Sequence, residues 1–230
     1  EVAKFVAKHF VKELTANEAF KAKDYEKALV ETFLRMDVLL NDPAGKKEIN
    51  AIRAEDGKSE YMESQAGCTA NVALLAGKTL YVANAGDSRC VVSSKGQAIE
   101  MSYDHKPDDE KERRRVEKAG GYVSDGRING NLNLSRAIGD LEYKKNTDIG
   151  VDEQLIIAVP DVKKRELTPD DEFLVMGCDG IWEVKPNQGI VDFVGERFKK
   201  GTPLAQIAEE LVDSLLAPDT YSNLYVLNHV

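Results

Sequence analysis

The stretch "TANVALLAGKTLYVANAGDSRCVVSSKGQAIEMS", Thr69 to Ser102, is rich in Val, Leu and Tyr and is broken by glycine at short intervals. Ala76-Gly77-Lys78 and Ser94-Lys95-Gly96 read as hairpin turns between apolar runs. The pattern predicts strands over 69–75, 79–85, 89–93 and 98–101, an antiparallel meander. Outward from it, the texture changes on both sides. Upstream, "EVAKFVAKHFVKEL" places Val2, Phe5, Val6, Phe10 and Leu14 on one stripe with lysines opposite, an amphipathic helix. "DYEKALVETFLRMDVLL" repeats the pattern with Tyr25, Ala28, Leu29, Phe33, Met36 and Leu40. The polar, acidic stretch 41–64 has no clear period and reads as a loop.

Downstream, "KPDDEKERRRVEKAGG" predicts a short helix. Pro107 stands near its start, acids fill its first turn, bases follow, and Gly120-Gly121 stops it. Its run Arg113-Arg114-Arg115 reads as a solvated helix face. Asp125-Gly126 and Asn129-Gly130 mark turns around short extended pieces. Strands are expected at about 155–158 and 172–176. Two helices then follow in "NQGIVDFVGERFKKG" and "TPLAQIAEELVDSLLAP", the second with Thr202 as cap and Pro203 in its first turn. Helices, hairpins, strands and helices come in groups, which argues for an α+β fold rather than an alternating one.

The chain has 230 residues, 42% of them hydrophobic, enough for a substantial core. Its formal net charge of -9 repels phosphate backbones, which argues against nucleic acid as a partner. Cys68, Cys90 and Cys178 fit no zinc spacing. They read as reduced thiols of an intracellular, most simply cytoplasmic, protein, each a small buried apolar residue. No apolar run approaches the roughly 18 residues of a membrane span, and no signal peptide is visible. The chain opens on Glu1, without Met, already in helical periodicity. That reads as a chain whose beginning lies upstream.

Three short acidic turns sit where predicted strands end: Ala85-Gly86-Asp87-Ser88-Arg89, Ile138-Gly139-Asp140 and Cys178-Asp179-Gly180. A hard dication wants carboxylate oxygens, and glycine lets the backbone come close. For any one turn alone, Asp as a plain turn residue is the simpler account. Asp179 follows the apolar Phe173-Leu174-Val175-Met176 and precedes Ile181-Trp182. It is therefore expected between two pieces of core, where a carboxylate needs a partner or a metal. Glu183, four residues on, is expected near it.

These motifs carry a resemblance. "SQAGCTANVALLAGKTLYVANAGDSRCVVSSKGQAIEMSYDHKP", "AGGYVSDGRINGNLNLSRAIGD", "AVPDV" and "DEFLVMGCDGIWEV" come in the order and spacing of the metal-dependent protein phosphatases of the type 2C (PPM) family. The resemblance spans about 1–217, and the motifs together are highly specific. It implies a single phosphatase domain over 1–230 with a four-layer α-β-β-α sandwich: two antiparallel sheets with a helix pair on each outer side. It implies two Mg²⁺ or Mn²⁺ ions, with a weaker third, and a bridging water that attacks phosphoserine or phosphothreonine of a phosphoprotein. By motif, Asp179 resembles a ligand of the two-metal centre, while Asp87 and Glu183 stand at the third metal. Glu183 departs from the family, where Asp is usual. Asp140 resembles structural support. The segment 103–126 resembles a flap beside the substrate.

The family's Asp-Gly-His-Gly-Gly is not in this sequence. Its metal-bridging Asp, its general-acid His and a phosphate-binding Arg are expected upstream of Glu1. Near the end, Ser222 stands where the family has a metal-ligating Asp, and nearby Asp219 is not promoted in its place. His105 reads as a flap or packing residue, and His9 and His229 carry no role. Two readings of different class follow. The first is an active serine/threonine phosphatase, favoured by the intact "GCDG", "AGDSR" and "SRAIGD". The second, favoured by the altered tail, is an inactive phosphatase-like module docked in a larger assembly.

Overall fold

The computed structural model describes residues 1–55, 57 and 65–216. In chain order it opens with helices α1 (Val2–Ala16), α2 (Glu18–Lys21), α3 (Tyr25–Asn41) and α4 (Pro43–Glu55). Strands β1 (Gly67–Cys68), β2 (Ala70–Ala76), β3 (Thr79–Ala85), β4 (Arg89–Ser94) and β5 (Gln97–Glu100) follow, then helix α5 (Glu110–Lys118). Three short strands, β6 (Val123–Ser124), β7 (Arg127–Ile128) and β8 (Ile138–Gly139), lead to a 3-10 turn at Leu141–Lys144. Strands β9 (Asp161–Glu166) and β10 (Asp171–Gly177) and helices α6 (Asp179–Trp182), α7 (Asn187–Lys199) and α8 (Leu204–Asp213) complete it.

The architecture is α+β, as expected: two antiparallel three-stranded sheets with helix clusters flanking them. The strand orders are β2-β3-β9 and β10-β4-β5. In the second sheet Val175 of β10 lies opposite Val91 of β4, and Val92 opposite Ile99 of β5. The turns at Gly77 and at Lys95-Gly96 take the positive φ that tight hairpins require.

The chain falls into two compact units. The first comprises 1–72, 83–87 and 104–162. There the stripe Val2, Phe5, Val6, Phe10 and Leu14 of α1 is buried, as the spacing requires. It packs on α3, where Leu29, Phe33 and Met36 are buried, with the Phe10 and Phe33 rings edge to face at 5.4 Å. A second cluster joins Val116 of α5 to Ile128, Ala137 and Ile156. The second unit comprises 73–82, 88–103 and the chain from 163 onward. Its strand β4 is buried on both faces. Val91 packs under Trp182, Ile190, Val194 and Leu211 of the helices, while Cys90 and Val92 meet Leu80 and Val82 of β3. This explains why "CVV" is apolar without alternation.

Several local expectations are corrected. Much of 41–64 is helix α4, whose inner stripe is only Gly45 and Ile49, too short to show a period. The part 58–64 lies outside the described residues. No strand spans 155–158; Ile156 and Ile157 are buried in a loop that makes one bridge, Arg136 to Ile157. The strand there is β9, a charged edge strand of its sheet. Pro203, not Thr202, is the cap position of α8, and no side chain caps it. In α5, Arg114 is exposed, but Arg115 turns inward onto Glu112 and the carbonyls of Ser135 and Gln154. The three cysteines are free thiols.

Candidate active site

Asp179 owes its place to a strand that ends in close contact. At Gly177 an ideal Cβ would lie 2.5 Å from Ile181 Cδ1, so glycine lets Ile181 of α6 fold back closely onto the end of β10. Cys178 is still extended, and Asp179 is the first residue of the single-turn α6. The helix is anchored by buried Ile181 and Trp182, whose indole N–H donates to the Gly177 carbonyl at 2.8 Å. The Arg89 guanidinium lies 5.8 Å from the Trp182 ring centre and donates to Asn187 at 2.9 Å. Asp179 itself is half-buried, and its carboxylate accepts the Gly180 N–H at 2.8 Å. The core lies mainly on its downstream side: Val175 and Met176 are half-buried and Leu174 is exposed. Burial alone therefore does not force a counter-ion on Asp179. Glu183 closes α6, its N–H donating to the Asp179 carbonyl at 3.0 Å, and is exposed. One helical turn puts the two carboxylates on the same side of the chain.

Asp87 lies in the first unit and is built differently. Gly86 follows the end of β3 at φ +117, and a Cβ there would meet the Thr69 side chain at 2.5 Å. Glycine is required on both counts. Asp87 is then only 4% exposed, and its carboxylate is ion-paired to the Lys106 ammonium. The neighbouring His105 is also buried. Its main-chain N–H donates to the Gly86 carbonyl at 3.0 Å, and its Nδ1 accepts the Gly86 N–H at 3.2 Å.

Behind His105 runs an ionic network, buried at Glu112 and Arg136 and exposed at Asp161, that sequence reasoning did not foresee. Nε2 of His105 faces Asp161 at 3.3 Å, Asp161 accepts from Arg136 at 2.9 Å, and Arg136 donates to Glu112 at 2.6 Å. Arg115 and Ser135 complete the Glu112 carboxylate at 2.5 and 2.8 Å. The His105 hydrogen bond, with Arg136 overcoming the cost of burial, holds Asp161 well below the usual carboxylate range. Burial would raise Glu112, but the two guanidiniums pull it down to about 2. The i,i+3 spacing of Glu112 and Arg115 within one helix was the available signal, although the sequence pattern reads Arg115 as part of a solvated face. Its partner Arg136, 24 residues from Glu112, was not.

Asp140 occupies a third environment, also in the first unit. It has φ +48 and packs so tightly on Gly67 that a Cβ there would lie 2.1 Å from its carboxylate. Burial, opposed by Lys144 and assisted by Asp37, pushes it up to about 6. Lys144 is paired with half-buried Asp37, which also accepts the Gly139 N–H at 2.7 Å. Asp140 thus belongs to a folded cluster at the β1–β8 pair.

Among the described residues no three His, Cys, Asp or Glu side chains converge as a metal shell. Asp179 has one turn-mate, and Asp87 is engaged by an ammonium. These donors alone do not fit a two-metal centre. Asp219, Ser222 and His229 lie outside the described residues. Also among the described residues, no helix is long and apolar enough to cross a membrane.

Comparison with known proteins places this geometry. The family model "Protein phosphatase 2C" matches residues 1–224. "Protein phosphatase 2C 1" of Paramecium tetraurelia is 55% identical over 224 residues, covering 96% of this chain and 73% of that protein. "Probable protein phosphatase 2C 21" of Arabidopsis thaliana is 42% identical over 250 residues, covering 95% and 70%. The solved serine-threonine phosphatase 2C from Toxoplasma gondii shares the fold, with a TM-score of 0.70 at 20% identity over 93% of this chain and 74% of that one. Motif order, sheet topology and a match along almost the whole chain agree: the chain belongs to the protein phosphatase 2C family.

Proposed function

We propose that the protein is a serine/threonine phosphatase, a phosphoric monoester hydrolase acting on phosphoproteins. The observation that carries the reading is the 55% identity to a protein phosphatase 2C over 96% of the chain. The family resemblance adds Mg²⁺ or Mn²⁺, which when bound would activate a water and neutralise phosphoryl charge. In this reading Asp179 is a ligand of the main centre, and Asp87 and Glu183 serve a weaker third ion. The described residues do not complete such a shell, so ligands beyond them are required.

What this chain's own residues supply is placement. The Gly177–Ile181 contact and the Trp182 anchor set Asp179 at the start of α6. Gly86 sets Asp87, and Lys106 balances its charge. The segment 103–126, carrying α5, stands in this reading as the flap that meets substrate. Its exposed Tyr103, Arg114 and Tyr122 would contribute to substrate choice.

The test is Mn²⁺-dependent phosphate release from a phosphothreonine peptide by the full-length protein, with Asp179→Asn beside it. Release that falls at least a hundredfold in the variant supports the reading. Ser222, standing in the sequence where the family has a metal-ligating Asp, favours the other reading, an inactive docking module, and that reading predicts no release from either protein.

A further inference from the structure

We propose that the outer edge of β5 is a subsite for peptide backbone: it holds an extended segment of the phosphoprotein substrate, on the N-terminal side of the phosphorylated residue. The inference rests on the phosphatase reading above.

β5 is the last strand in the order β10-β4-β5, so the side of its backbone away from β4 meets no strand among the described residues. The register decides which groups lie there. Met101 N–H donates to the Cys90 carbonyl at 2.9 Å, so residues 97, 99 and 101 turn their backbone groups toward β4. Ala98 and Glu100 turn theirs outward. The Gln188 side chain of α7 fills the first half of this edge. Its amide N–H donates to the Gly96 carbonyl at 2.8 Å, and its amide oxygen accepts the Ala98 N–H at 2.9 Å. One residue of a parallel neighbouring strand would make the same two bonds. Two residues on, the same pattern is open: among the described residues, the Ala98 carbonyl and the Glu100 N–H have no partner. Such a pair on a strand edge is what an added peptide strand uses.

A concavity of about 670 Å³ lies over this edge, walled by Arg89, Ile99, Tyr103, Pro186 and Asn187, all within the second unit. Asn187 accepts from Arg89 at 2.9 Å and donates to the Glu100 carboxylate at 2.7 Å, so both charges are already engaged and the subsite reads backbone. The parallel sense is favoured because one residue satisfies both open groups. An antiparallel chain, including a two-fold copy of this one, would also face the Ala98 N–H and the Glu100 carbonyl, which Gln188 and Lys163 already engage. Direction then follows from the register. Glu100 lies opposite Val91, Val91 opposite Val175, and Arg89 opposite Gly177. β5 therefore runs toward the end of the sheet where Asp179 begins α6. A parallel segment runs the same way, entering beside Gln188. From strand rise and spacing, the residue paired opposite Ile99 lies roughly 20 Å from Asp179, or about six extended residues.

Two phosphothreonine peptides test this on the full-length protein with Mn²⁺, one extended by about ten residues before the phosphothreonine and the other by about ten after it. Glu100→Pro removes the open N–H and no β4 bond, and an edge strand tolerates proline there. Glu100→Gln loses the same charge and keeps the N–H. KM for the upstream-extended peptide should be about tenfold higher in Glu100→Pro than in Glu100→Gln, with kcat alike, while the two variants share one KM for the downstream-extended peptide. Equal KM in the two variants on the upstream-extended peptide, or the same difference on both peptides, overturns the inference. Wild type that releases phosphate from neither peptide refutes the phosphatase reading itself, and the inference falls with it. A second measurement needs no variant. Methylating the backbone nitrogens of the upstream-extended peptide one at a time should raise KM at one position, about six residues before the phosphothreonine. Uniform tolerance would overturn the subsite. A dimer that Glu100→Pro dissociates, read by sedimentation, would overturn it in favour of a second copy of the chain.

Discussion

Glu112→Gln removes one negative charge from a site that holds two guanidiniums. The Glu112 side chain is 3% exposed, and Arg136 and Arg115 beside it are 2% and 10% exposed. After the substitution Asp161 is the remaining carboxylate paired to Arg136. Removing one partner of such a buried pair costs about 3–5 kcal/mol, because the other charge is left uncompensated. An independent route gives a similar size. Lowering this carboxyl from 4.5 to about 2 in the folded state corresponds to about 3 kcal/mol at neutral pH. The sign follows from the depressed value: the contribution is fully present above 4.5 and is lost as pH falls through about 2. Urea unfolding near pH 7 should therefore show the variant about 3–5 kcal/mol less stable, and the gap should shrink by roughly half near pH 3. A gap below about 1 kcal/mol, or one that does not change with pH, would refute the view that this ionic cluster organises the first unit.

Asp140→Asn should act in the opposite direction. Its carboxyl is raised from 3.8 to about 6, so its favourable contribution is present below 3.8 and lost as pH rises through 6. Near pH 8 the Asn variant, which tolerates φ +48, should be more stable by up to about 3 kcal/mol, converging with wild type near pH 4. Equal melting temperatures at both pH values would contradict this. Burial pushes the Cys68 and Cys90 thiols up to about 12. A thiolate-specific reagent near pH 8 should leave both unlabelled in the native protein and modify both on unfolding. Rapid native labelling of either, located by peptide mass mapping, would disprove their burial.

What could be read from the sequence was whatever repeats locally. The α1 stripe Val2, Phe5, Val6, Phe10 and Leu14 was legible because one helical face carries five apolar residues. Strands β3 and β4 were legible because glycine turns flank continuous apolar runs. Helix α4 escaped because Gly45 and Ile49 are too few to make a period. Leu155 to Ala158 looked like a strand because an apolar run of four cannot be told from a buried loop. Strand β9 escaped for the converse reason: "DVKKRE" is a charged edge strand. At the candidate site, the glycine-flanked acidic turns were visible, but their surroundings were not. His105 and Asp161 are 56 residues apart, and Arg136 reaches Glu112 from 24 residues away. Such pairs are made by topology, not by local pattern. The expected burial of Asp179 on both sides also misled, since apolar neighbours in sequence need not cover the residue between them.

The most direct test of the phosphatase reading is phosphate release from a phosphothreonine peptide by the full-length protein, with and without Mn²⁺, in wild type and Asp179→Asn. A metal-dependent rate in wild type that drops at least a hundredfold in the variant, with unchanged thermal unfolding, is the predicted result. Equal rates from the two proteins would contradict the placement of Asp179 in the catalytic centre.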